Sequence, residues 1–274
     1  MTIEKYRHPI LFYSLATIIP WLFWFAAGYL SHITPSSNFY VTVSSILAFL
    51  GLLSPMIIAF SLMLPDQELR RDLFNRFFST RKIKPIYLFL TLFLMLISIL
   101  LAQAISLLFG YSVDQFKLSS GSFTAGIFSV WFILIIAPIL EELAWHTYGT
   151  DCLRQRFSLF KTSLIFAIFW AFWHFPLSGI KGYYHANLVE SWIYSLNFAV
   201  SLIPYVLLMN WLYYKTDRNI LVAIVFHISA GFFNEIFLTH PDSKIIQTIL
   251  LLVFTVFIVI KERDFFFKRD ILLD

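Results

Sequence analysis

The chain alternates between long apolar runs and short polar stretches. The runs fall near residues 10–30, 41–64, 86–110, 122–149, 162–180, 191–214, 219–238 and 245–260. Crossing a bilayer as a helix takes roughly 20 apolar residues, and at 1.5 Å per residue these runs suit that span. The fourth is long enough to extend past the bilayer on one side, and the last is short. No polar segment between the runs is large enough to fold alone. The pattern predicts an all-α polytopic membrane protein, a single integral membrane domain over residues 1–274 with about eight transmembrane helices.

Composition agrees. Hydrophobic residues make up 59% of the chain and charged residues 13%, about half the charged share of a soluble domain. Lys5 and Arg7 precede the first apolar run. That run is longer than the ~7–15 residues of a signal-peptide core, so it reads as an uncleaved first span. A single cysteine, Cys152, excludes an internal disulfide. The net charge of +4 gives no reason to expect a nucleic-acid partner; in a membrane protein the placement of charge carries the information. Of the 20 Lys and Arg residues, all but Lys117, Lys181 and Lys244 lie in the N-terminus, 65–85, 150–161, 215–218 and the C-terminal tail. An even number of spans with both termini cytoplasmic accounts for that split. The expected location is a bacterial cytoplasmic membrane, multi-pass.

Two basic-side segments read as interfacial, the first of them equally well as a solvated linker between spans. In "DQELRRDLFNRFFSTRK" a helix places Leu69, Leu73 and Phe77 on one stripe and basic residues elsewhere, as for a helix lying on an anionic surface. The tail "KERDFFFKRDILLD" mixes Phe with basic residues in the same way. The chain shows no internal repeat of the kind transporters carry.

Ionisable groups inside spans are costly and are read as functional by default. Three acids lie there: Glu141, Glu142 and Glu235. Glu141, His174 and His227 fall on three successive candidate spans, roughly 12, 18 and 12 Å from their basic-side ends at 1.5 Å per residue. They share one layer, and a cavity at that layer is expected to open to the cytoplasm. Two His and one Glu with an open fourth position form a common catalytic zinc shell, in which the bound water is acidified to a pKa of about 7. Glu142 points ~100° away from Glu141 and takes a supporting role. His146 lies one turn beyond Glu142, within hydrogen-bonding reach. Pro138 disrupts the backbone just before the acids and leaves a carbonyl free to line a cavity. Glu235 and Asn234 lie toward the outer half of their helix, where packing or a loop contact suits Glu235. His185 and His240 fall in outer loops and read as merely polar. Cys152, near Arg154 and Arg156, reads as structural. A lone histidine in a span also serves as a helix–helix hydrogen-bond donor, so the three-residue set carries the argument.

At these residues the sequence resembles the CAAX-protease and bacteriocin-processing family of intramembrane proteases, which includes the Ras-converting CAAX endopeptidase. The family carries E-E-x-x-x-R, F-x-x-x-H and H-x-x-x-N/D on successive helices. Here these read "EELAWH" (141–146), "WAFWH" (170–174) and "HISAG" (227–231). The resemblance covers roughly 122–238, the expected catalytic core. It implies that Glu141 and His174 activate a water, that His227 is a metal ligand or oxyanion stabiliser, and that Glu142 supports. The implied reaction is hydrolysis of a peptide or membrane-protein segment near the cytoplasmic face, with a divalent metal, zinc, held by Glu141, His174 and His227. Three positions depart from the motifs: His146 replaces Arg, Trp170 replaces Phe, and Gly231 replaces Asn. Asn234 lies two turns beyond His227 on the same face, about 10 Å along the axis, and is the nearest candidate substitute. The departures motivate an alternative, a non-catalytic membrane adaptor for a sensor kinase or envelope enzyme. A proton-relay transporter using Glu141, Glu142 and His174 is a third class.

Overall fold

The computed structural model describes residues 3–79 and 83–269. Apart from two isolated bridges, the regular structure there is helical. The helices are α1 (Pro9–Ser31), α2 (Asn38–Met63), α3 (Gln67–Phe78), α4 (Pro85–Ser106), α5 (Val130–Ala144), α6 (Thr150–Arg154), α7 (Leu159–Trp173), α8 (Tyr184–Leu188), α9 (Trp192–Lys215), α10 (Ile220–Glu235), α11 (Pro241–Lys261) and α12 (Arg263–Phe267). Seven helical stretches are long and apolar enough to cross a membrane, and α10 is a shorter apolar eighth. The protein is an integral, multi-pass membrane protein.

Helix α5 packs against α2 on one side and α10 on the other, α7 lies along α9, and α10 and α11 flank α4. Small residues allow the closest approaches. At Gly51 a Cβ would stand 2.5 Å from the indole nitrogen of Trp24 on α1, so only glycine lets α1 and α2 close there.

The fourth span differs from the sequence expectation at both ends. Residues 122–129 are a loop rather than helix, because Gly126 takes a positive φ of 62° and sits against α2, where a Cβ would overlap Ser45 Oγ. The helix begins at Val130, with Ser129 Oγ accepting from Phe132 N–H. It continues through a π-helical turn, Trp145–Gly149, into α6. The last span is longer than expected, since Pro241 starts it and His240 caps it. Helix α7 stops at Trp173, and His174 caps it ahead of a 3₁₀ turn containing Pro176.

The segment over 67–78 is helical as expected, yet it does not lie loosely on a surface. Leu69 and Leu73 are buried, and so are Asp72 and Arg76 on the neighbouring stripe. Phe74 and Phe78 face outward instead. Buried charges need partners, and these two find them in Asp151, Arg218, Tyr6 and Tyr213. In the tail, Phe266 is buried and Lys215 lies over Phe265 while pairing with Glu262. Residues 270–274 of that tail fall outside the described residues.

Candidate active site

Both glutamates are buried near the C-terminal end of α5, where consecutive residues diverge around the helix. Glu141 Oε2 accepts from the indole N–H of Trp170 at 2.9 Å and of Trp145 at 3.4 Å. Glu141 Oε1 has no hydrogen-bond partner among the described residues, and Glu141 lines a cavity of about 410 Å³. Glu142 turns away into the packing. Its Oε2 accepts from His146 and its Oε1 accepts from His227 Nδ1 at 2.7 Å.

The imidazoles are oriented in turn. His174 Nδ1 donates to Trp170 O at 2.6 Å, so its Nε2 is the nitrogen left for chemistry. His227 spends Nδ1 on Glu142 and leaves Nε2 without a protein partner. Ser163 Oγ donates to Leu159 O and accepts from Asn210 Nδ2 at 2.9 Å. That fixes Asn210 Oδ1 toward His146 Nε2, which donates to it at 2.9 Å. His146 is thereby held between Glu142 and Asn210, and it keeps a hydrogen-bonded partner on Glu142 where the family motif has Arg.

Other expected residues fall elsewhere. Asn234 donates to Ala230 O of its own helix at 2.9 Å, so its amide is turned away from the role considered for it. Gly231 leaves open space: a Cβ would meet only Leu134, at 3.4 Å. Glu235 staples α10 to the loop before α5 and to α11 through Ser122 and Lys244, which fits a loop contact.

Several site residues escaped the sequence. Asn210 is a lone amide in an apolar helix, a visible signal, but nothing in its local pattern aims it at His146. Trp170 looked like a mild aromatic exchange, yet its indole N–H is a bond phenylalanine does not have. His185 is not a plain loop residue. It stacks on His174, with ring centroids 4.9 Å apart and planes 18° from parallel, and it lines the same cavity. Both of its ring nitrogens are buried without a partner. Helix α8 lies between spans, and burial there, followed by the neighbouring His174, holds the His185 imidazole well below its ordinary range.

The cavity runs from Glu141 and His174 past Trp24, Phe49 and Phe128 to Ser36, Thr124, Gly126, Lys181 and Gly182. Those are the Lys/Arg-poor ends. From the sequence an opening toward the basic ends is expected; this cavity reaches the opposite ones. Depth along a helix places residues in a layer and says nothing of the direction in which a cavity opens. Toward the basic ends the site is backed by the buried cluster around Arg76 and by Trp145 and Tyr148.

Donor chemistry in part suits a metal: His174 and His227 each donate Nδ1–H to a protein oxygen and leave Nε2 for another ligand, the usual second shell of a metal-bound histidine. Spacing does not. Among the described residues no three His, Cys, Asp or Glu side chains converge closely enough to hold one ion.

Residues 122–233 match the family described as Type II CAAX prenyl endopeptidase Rce1-like. Along nearly its whole length, the chain is also similar to a CAAX prenyl protease 2 of Methanococcus maripaludis: 34% identical over 272 residues, 97% of this chain and 99% of the relative. The chain belongs to the Rce1-like CAAX prenyl protease family, a family of membrane endopeptidases.

Proposed function

We propose that this protein hydrolyses a peptide bond at Glu141 and His174, in a segment that enters from the ends opposite its termini. The observation that carries the reading is that these two side chains share one cavity, each pre-oriented by a hydrogen bond from or to Trp170. Glu141 takes a proton from a water through Oε1 while the indoles hold Oε2. The water oxygen attacks the carbonyl carbon. As the C–N bond breaks, that proton passes to the leaving amine, with His174 Nε2 positioned to relay it. His227, aimed by Glu142 through Nδ1, donates a hydrogen bond from Nε2 to the carbonyl oxygen as negative charge develops, in the form that carries a proton on both ring nitrogens. Apolar walls from Trp24, Phe49, Leu52 and Phe128 suit an apolar neighbour of the cut bond. The name of the relative extends the proposal to a prenylated C-terminal peptide.

Zinc enters the proposal only as an ion that Glu141, His174 and His227 would hold, where it would acidify the water; as the side chains stand, no step is routed through it. The adaptor alternative rested partly on His146, and the retained contact with Glu142 weakens that motive. The test is hydrolysis of a fluorogenic farnesylated CAAX peptide by protein in detergent, alongside metal content. Glu141→Gln and His174→Ala are expected to lower kcat at least ~100-fold, the scale of general acid–base catalysis. Wild-type rates in either variant would refute the site. Near-stoichiometric zinc, lost in both, would establish the ion.

A further inference from the structure

The turn that follows the glutamate pair is held from outside the cavity. Over Trp145–Gly149 the helix widens to π geometry. Two carbonyls of this turn, those of His146 and Thr147, accept from side chains. Arg76 Nη1 donates to His146 O at 2.9 Å, and Nη2 donates to Thr147 O at 2.8 Å. Tyr213 OH adds a bond to His146 O at 2.7 Å. A planar guanidinium reaches two adjacent carbonyls at once, whereas an ammonium is a point donor. Arg76 is 3% exposed and comes from α3, well outside the catalytic core. It is aimed by Asp151 Oδ2 at 3.0 Å and by the hydroxyls of Tyr6 and Tyr213, each at 2.7 Å. Its Nε lies 3.0 Å from Asp72 Oδ2 without hydrogen-bond alignment.

The residue gripped this way is the one that positions the site. His146 has its backbone clamped by Arg76 and its ring bonded to Glu142, and Glu142 in turn aims His227. We propose that Arg76 is a positioning residue for hydrolysis: it holds the wide turn that points His146 at Glu142 and so sets the orientation of His227. It does not line the cavity and acts only through His146. The inference rests on the proposed reading of the site. A plain anchor of α3 would make a different prediction, because any variant that folds would then turn over normally.

The test uses the full-length protein in detergent. Arg76→Gln is combined with Asp151→Asn so that no buried charge is left alone, and Arg76→Ala is assayed with added guanidinium chloride. Glu68→Gln on the same helix as Arg76, which loses only a surface pair with Lys5 of the N-terminal segment, is the control. The readouts are kcat and KM on the farnesylated CAAX peptide and the ¹⁵N signals of His146 and His227. The double variant is expected to fold, to lose roughly 100-fold in kcat with little change in KM, and to show shifted signals from both histidines. Guanidinium is expected to restore about tenfold to Arg76→Ala through the same carbonyls, and Glu68→Gln to match the wild type. Unchanged kcat per folded molecule, or unmoved histidine signals, overturns the inference. If the wild type hydrolyses no such peptide, the proposed function fails separately, and the spectra alone decide whether Arg76 aims the pair.

Discussion

Glu142 has both carboxylate oxygens committed to imidazoles, while Glu141 keeps one free oxygen against the cavity. In the proposed reaction the two adjacent acids divide the work, one handling the proton and the other fixing a neighbour. The position that departs most from the family, Gly231, leaves a gap beside Leu134 and no amide. Restoring the family residue makes a sharp prediction. Gly231→Asn is expected to raise kcat on the farnesylated peptide by tens-fold, since one donor to the developing oxyanion is worth roughly 10²–10³ when removed elsewhere. Equal or lower kcat with unchanged thermal stability would show that this site runs without that amide. At this scale much was legible in the chain. An acid or imidazole inside an apolar run stands out because its burial is costly. Trp170, Asn210 and His185 were not, because an indole, a lone amide or a loop histidine acquires meaning only from the helix packed against it.

At the scale of elements, helical spans are legible wherever apolar length alone decides them. The end of a span is not, as the loop at 122–129 shows: a run without charges still unwinds where Gly126 must pass Ser45. The π turn was equally hidden, since its stabilising partner lies on α3. That helix was read as surface-bound from its apolar stripe, but Asp72 and Arg76 are buried. Burial raises the pKa of Asp72, and Arg218 and Arg76 lower it by more, so its carboxyl sits below its ordinary value. A pKa depressed in the folded state means that stabilisation is full above the unfolded value and fades as pH falls through the folded one. The thermal midpoint of the wild type in detergent is therefore expected to exceed that of Asp72→Asn by a constant margin above about pH 5, and the margin to shrink below about pH 4. A margin independent of pH would mean that Asp72 contributes by packing rather than by charge.

For the whole molecule, two features bear on how it sits in the membrane. The start of α1, the end of α11 and most of the Lys and Arg among the described residues lie at one set of helix ends, and the cavity reaches the other. With this cavity as the entry path, cytoplasmic termini go with a mouth on the outer face. Charge placement usually decides orientation, so the basic ends, with α3, are expected inside and the cavity mouth outside. The only cysteine, Cys152, is buried and gives no labelling background. Ser36→Cys at the mouth and Asn75→Cys on the exposed side of α3 then report the two faces. With an impermeant maleimide on intact cells, Ser36→Cys is expected to label and Asn75→Cys to label only after permeabilisation. The reverse pattern would place the mouth in the cytoplasm, show that charge does not set the topology of this chain, and direct the substrate search to cytoplasmic peptides. The expected pattern directs it to segments presented from the outer face.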